Sequence, residues 1–349
     1  MPSPAASQAQ APAARAAARM VARFARLERM DRRRLLGIAL AAVSACGYGS
    51  GPLFAKSVYG SGLDWLALLY WRFLLAGVLV WAWALLVATN RAGLRALPRR
   101  RVVALIGLGA FFVGNAGTYY AALQYISASL ASLIVYIYPA LVAVLSIRFG
   151  HGLHGRRPWA ALGIVSFGVA LTLGGIETRA DPVGLALIIA SPCIYAVYIV
   201  LAARLAGERR GETANDRTGG DGAETRPAVA AAVMLSATFG VVALMAAAAG
   251  EPTVPWLVPG DAWFGLAGIA IFSTAVAISA FYAGTARIGA AQAALVSTVE
   301  PVWTITLATL LFGERLSSVQ LAGGFLVILG VVVAQTTPGA TPSAVVEEA

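Results

Sequence analysis

The chain has 349 residues, 59% hydrophobic and only 12% charged, with a formal net charge of +10 and a mean hydropathy of +0.77. Soluble domains carry about 25% charged residues, so this composition excludes a water-soluble globule and points to an all-α membrane protein. In a soluble chain the positive charge would suggest nucleic acid; here most arginines fall between apolar runs, so membrane topology explains them and no nucleic acid is implied.

Residues 1–34 open on a low-complexity Ala/Pro/Ser/Gln tract and continue with Arg15, Arg19, Arg23, Arg26, Arg29 and Arg32 to Arg34. Steps of three and four gather most of these on one helical face. The segment reads as a basic cytoplasmic tail, disordered or amphipathic, lying on an anionic leaflet. It is too long and too basic for a cleavable signal peptide. Ten apolar spans are predicted after it, at about 35–56, 65–89, 102–123, 129–149, 158–174, 183–205, 228–250, 263–286, 290–312 and 317–335, most of them near the ~20 residues that a bilayer-crossing helix needs. Between the sixth and seventh lies a polar, Gly-rich loop, 206–226, and residues 336–349 form a Pro/Thr-rich tail expected to be disordered. Cys46 and Cys193 both fall within apolar runs, so no disulfide framework is indicated.

With ten spans, 22 of the 26 Lys and Arg fall on one side, in the N-terminal tail and alternate connections. Lys56, Arg179 and Arg315 are left on the other side, and Arg72 lies within a span. Positive residues concentrate in the cytoplasm, so both termini are expected there.

The chain also repeats itself. At an offset of 147, Gly37–Tyr48 and Gly184–Tyr195 share six of twelve residues, among them Cys46/Cys193 and Tyr48/Tyr195. At an offset of 162, Thr118–Leu145 and Ala280–Leu307 share eight of twenty-eight, including Tyr120/Tyr282 and Pro139/Pro301. The predicted domains are therefore two five-helix repeats, 35–175 and 176–335. Five is odd, so the repeats enter the membrane with opposite orientation, the arrangement of secondary transporters with a site where the halves meet.

Two stretches carry a family resemblance: Val299-Glu300-Pro301 followed by LLFGERLSSVQLAGGFLVILGVV, and Tyr70-Trp71-Arg72-Phe73 followed by Ala76-Gly77. In these the chain resembles the EamA family of the drug/metabolite transporter superfamily, ten-span exporters of the bacterial inner membrane. It departs from the family at Tyr48-Gly49-Ser50, where a Trp usually precedes the small pair. It departs again at His151-Gly152-Leu153-His154, where a Gly-Glu-Arg-like turn is usual; that turn survives only as Gly313-Glu314-Arg315. Relatives export amino acids, other small metabolites or drugs.

Glu300 is the only acidic residue well inside a predicted span. A carboxylate there costs ~2.5–3.5 kcal/mol on insertion scales, so it either binds a cationic group, carries a coupling proton, or is a structural carboxylate with a local partner. Arg72, seven residues into its span, either binds a substrate carboxylate or snorkels to the outer interface; its position favours the second. Gly51, Pro52, Pro139, Pro192 and Pro301 are predicted helix breaks, in corresponding places of the two halves. Tyr48, Asn115, Tyr119, Tyr136, Tyr195, Tyr282, Ser297 and Trp303 are candidate cavity residues, within a wider set that includes Tyr120, Tyr198 and Gln292. Trp65, Trp81, Trp83 and Trp263 read as interfacial belt residues.

Repeat and resemblance together imply a multi-pass inner-membrane secondary transporter that exports a small metabolite, an amino acid or related amphipathic solute, by alternating access. The alternatives are a drug or nucleotide-sugar-type transporter of the same superfamily, or a non-transporting scaffold or membrane enzyme. The two histidines, His151 and His154, share one loop, and no glycine loop of the phosphate-cradling kind precedes a lysine. No catalytic residue, cofactor or metal is therefore expected. The expected partners are a small-molecule substrate and the lipid bilayer, with proton coupling through Glu300; a homodimer is compatible with the sequence.

Overall fold

The computed structural model describes residue 32 and residues 34–138, 141–142, 145, 156–174, 181–205, 227–288, 293 and 296–335. The basic N-terminal tract, Pro139, the loop with His151 and His154, the connection 206–226, Gln292, the C-terminal tail and the side chain of Tyr282 lie outside what is described.

Among the described residues every regular element is helical. In chain order these are α1 (Arg34–Gly60), α2 (Trp65–Leu86), α3 (Ala88–Arg95), α4 (Arg99–Ala122), α5 (Ala128–Val135), α6 (Arg156–Gly174), α7 (Pro182–Leu205) and α8 (Pro227–Ala249), then α9 (Ala262–Ala270), α10 (Ala277–Ile288), α11 (Val299–Phe312) and α12 (Ser318–Gln335). A π-helical turn, Ile271–Val276, joins α9 to α10. Among the described residues six helices are long and apolar enough to cross a membrane: Arg34–Gly60, Trp65–Leu86, Arg99–Ala122, Pro182–Leu201, Ala228–Ala249 and Ala262–Phe281. Val299–Phe312 and Ser318–Gly330 are apolar but shorter. Exposed side chains such as Leu86, Leu244, Leu310 and Phe325 give the bundle an apolar outside.

Small residues set the packing. α1 runs antiparallel to α9 and α10: Gly37 lies against Arg287 and Ile288, Gly47 against Ala277, Gly51 against Ser273, and Phe54 against Gly265 and Gly268. Such contacts let backbones approach where no hydrophobic driving force separates helix from lipid. Elsewhere α4 packs on α7 and α8, α2 on α8 and α9, α5 on α11 and α7, and α6 on α12. Gly168 of α6 meets the Gly323 carbonyl of α12.

The chain behaves differently at the several predicted breaks. α1 continues unbroken through Gly51 and Pro52, and α7 through Pro192. Neighbours hold these segments helical despite the prolines' missing amides: Ser273 and Tyr120 press on Gly51, and Asn115 of α4 bonds Ser191 beside Pro192. Pro301 stands at an interruption: Val296 and Ser297 are helical, and a new helix begins at Val299. It occupies the first turn of α11, where an amide has no intrahelical partner, and the chain turns just before it at Thr298. α5 stops at Val135 with a turn at Tyr136-Ile137. Proline at 139 removes the amide that would have closed on the Val135 carbonyl.

Candidate functional site

The interior polar cluster begins at Arg72 on α2. Its side chain is 8% exposed, so it does not snorkel, contrary to the reading its sequence position favoured. Nε donates to the Thr274 hydroxyl at 3.1 Å. The guanidinium carbon lies 4.8 Å from the Tyr120 ring centroid and 5.4 Å from that of Phe73. Thr274 is presented by the π turn: its hydroxyl donates to the Ile269 carbonyl at 2.9 Å, five residues back, and accepts from Arg72. No carboxylate pairs with Arg72 among the described residues. A cation over a ring gains about 0.5–2 kcal/mol, against a desolvation cost of several kcal/mol for a buried ion. The two ring contacts of Arg72 and its hydrogen bond to Thr274 offset part of that cost in place of a carboxylate.

Glu300 sits half-buried in the first turn of α11, where the helix N-terminus favours a negative charge. Its backbone carbonyl accepts from the Thr304 hydroxyl at 3.0 Å, and the same hydroxyl bonds the Gly49 carbonyl at 2.8 Å. A Cβ at Gly49 would lie 2.9 Å from the Glu300 carbonyl oxygen, so only glycine lets α1 come this close. The carboxylate makes no hydrogen bond or ion pair with any described residue. Around it, within electrostatic reach, are the phenols of Tyr119, Tyr120, Tyr136 and Tyr138.

Tyr119 and Tyr120 join the two charges. Their rings meet edge to face at 5.2 Å, and both sense Arg72 and Glu300. From Glu300 an aromatic ladder continues through Tyr136, Tyr138, Tyr195, Tyr198 and Phe112, with successive centroids 4.9–5.9 Å apart. The Tyr136 hydroxyl donates to the Ser297 carbonyl, the group that Pro301, four residues on, leaves without an amide. Asn115 bridges α4 to α7 by accepting from the Ser191 hydroxyl at 2.9 Å. Trp303 ties α11 to α1, its Nε1 donating to the Ser50 hydroxyl at 3.0 Å.

The structure thus brings Arg72, Tyr119, Tyr136, Tyr195, Ser297 and Glu300 into one connected cluster, with Asn115 one turn from Tyr119 on α4. Tyr48 is half-buried on α1 one residue before Gly49. Among the residues read as belt, Trp81 instead donates to Ser236 at 2.8 Å, and Trp263 stacks edge-on against Trp71. Sequence reading missed Tyr138, Thr274, Tyr59 and Thr304. Tyr138 was findable, since the 162 offset sets it against Glu300. Thr274 was not, because nothing in its neighbours announces a π turn.

An arginine and a glutamate set among phenols inside an apolar helical bundle mark a membrane protein with a polar interior. The chain belongs to the EamA-like transporter family, whose profile matches residues 35–174 and 223–336. It is 27% identical over 289 residues to the uncharacterized transporter YcbK of Bacillus subtilis (strain 168), covering 81% of this chain and 88% of that protein. A crystal structure described only as that of a protein has the same fold, with a TM-score of 0.59 at 21% identity over 86% of this chain and 97% of the other.

Proposed function

We propose that this transporter exports a small zwitterionic metabolite, amino-acid-like, from the bacterial cytoplasm by alternating access, through two inverted five-helix repeats. The observation that carries the cargo class is the separation of Arg72 and Glu300 by Tyr119 and Tyr120, with neither charge neutralised by the other. A carboxylate on Arg72 and an ammonium on Glu300 would satisfy both, and the tyrosine ladder would receive the remainder of the solute. Between cargoes a proton takes the ammonium's place on Glu300, which couples export to the proton gradient.

The helix pairings support the inverted repeat. Exchanging the halves turns the α1 contact with α9 and α10 into that of α7 with α4, α4 on α8 into α9 on α2, and α5 on α7 into α11 on α1. Rocking of the halves about a site on their shared axis then exposes it to one side at a time. The arginine distribution supports cytoplasmic termini.

The test is thermal unfolding of the purified protein against solute classes. A zwitterionic cargo at a hundred times its Kd should stabilise it by about 2.7 kcal/mol, and Arg72→Ala or Glu300→Gln should abolish the effect. Equal stabilisation by amines lacking the carboxylate would favour an organic-cation drug cargo held by Glu300 and its tyrosines. Stabilisation by neither class would contradict the site.

A further inference from the structure

Glu314 lies in the turn between α11 and α12, half-buried. Gly313, at φ +66°, ends α11 in the left-handed conformation and redirects the chain. The Glu314 carboxylate is fully engaged. Oε1 accepts from the Ala128 amide at 3.0 Å, and Oε2 from the Ser129 amide at 2.9 Å and the Ser129 hydroxyl at 2.8 Å. The first turn of α5 is thus capped by a side chain from the far end of the sequence, through charge-assisted bonds about twice as strong as neutral ones. Lys56, near the end of α1, grips the same corner: its Nζ donates to the Ile126 carbonyl at 2.8 Å and feels the charge of Glu314.

Three segments from both halves of the chain are therefore tied at one end of the bundle, the end assigned to the outside. Beside them is a cavity of about 350 Å³ lined by Lys56, Tyr59, Asp64, Leu123 and Gln124. Tyr59 stands between this cavity and the Arg72 cluster, its hydroxyl donating to the Tyr120 carbonyl at 2.7 Å. The tie is not repeated. At the offset of 162, Glu314 falls on Gly152, while Ala128 and Ser129 fall on Ala290 and Ala291. The matching positions hold neither carboxylate nor hydroxyl.

We propose that the Glu314 contact with the start of α5 is an outer latch, whose release opens the Arg72–Glu300 site to the outside. It rests on the transporter reading only for its direction. The latch favours the inward-facing state as the resting one, because the positions matching Glu314, Ala128 and Ser129 in the other repeat are Gly152, Ala290 and Ala291.

The experiment measures accessibility and needs no cargo. In full-length protein with both native cysteines replaced by serine, a single cysteine is placed by Ser273→Cys. Ser273 is buried, its hydroxyl 2.7 Å from where a Gly51 Cβ would stand. A membrane-impermeant thiol reagent is applied from outside. Glu314→Gln is expected to raise the labelling rate about tenfold, equivalent to ~1.4 kcal/mol, and Ser129→Ala to raise it less. Unfolding temperatures in detergent verify that each variant is folded. Unchanged labelling in both variants would overturn the latch and leave Glu314 a structural cap. Should Glu314→Gln not fold, Ser129→Ala decides alone. Absence of solute flux would contradict the transporter reading without altering this result.

Discussion

Pro301 removes the amide that would close on the Ser297 carbonyl, and the Tyr136 hydroxyl supplies the donor instead. That exchange brings α5 against α11 beside Glu300. Leaving a buried carbonyl without a donor costs about 1–3 kcal/mol, so Tyr136→Phe should destabilise the protein by an amount in that range. Pro301→Ala restores the amide. In that background the tyrosine should matter less, with a coupling of about 1 kcal/mol between the two substitutions. The double-mutant cycle on unfolding free energy is the check, and additivity would show that the carbonyl has another donor.

Within single elements, glycines report how tightly neighbours press. On α4 a Cβ at Gly109 would lie 2.3 Å from the Met234 carbonyl oxygen of α8, and Thr238 already bonds the Gly109 carbonyl at 2.8 Å. Gly107, half a turn away, faces open space. Gly109→Ala should therefore cost about 1–3 kcal/mol and Gly107→Ala almost nothing, read as unfolding temperatures of the purified variants. Equal effects would mean that α4 and α8 can part. Just past the C-terminal end of α8, burial first and the Asp64 carboxylate second push Glu251 above the usual carboxylate range. Asp64 is fixed there as the cap of α2, accepting from the Leu66 and Ala67 amides at 2.8 Å. Because the folded form favours protonated Glu251, its stabilisation is complete below the ordinary value of 4.5 and fades as pH rises through the raised one. Glu251 is largely solvated, so the slope is small. Relative to Glu251→Gln, wild-type unfolding temperature should fall between pH 4 and pH 7, and parallel curves would show the two carboxylates to be uncoupled.

At the scale of the whole molecule, hydropathy and family motifs made the helical membrane architecture legible, and the carboxylate inside an apolar run singled out Glu300. Depth was harder to read. Arg72 sits seven residues into its predicted span, which suits snorkelling, and only the π turn that aims Thr274 at its Nε reveals an inward course. The breaks expected at Gly51 and Pro52 misled for a related reason: propensity is local, whereas the packing of α9 and α10 that keeps α1 helical comes from more than 200 residues away. The latch at Glu314 was invisible as well, since a carboxylate in a polar turn looks solvated until the start of α5 is placed beside it. The claim that unites these scales is that Arg72 and Glu300 serve a carrier that opens to one side at a time. Its most direct test is counterflow in proteoliposomes without ATP, loaded with unlabelled zwitterionic solute and given labelled solute outside. A carrier predicts a transient accumulation of label above equilibrium that saturates with concentration and is lost in Arg72→Ala. Label that merely equilibrates, without overshoot or saturation, would contradict alternating access.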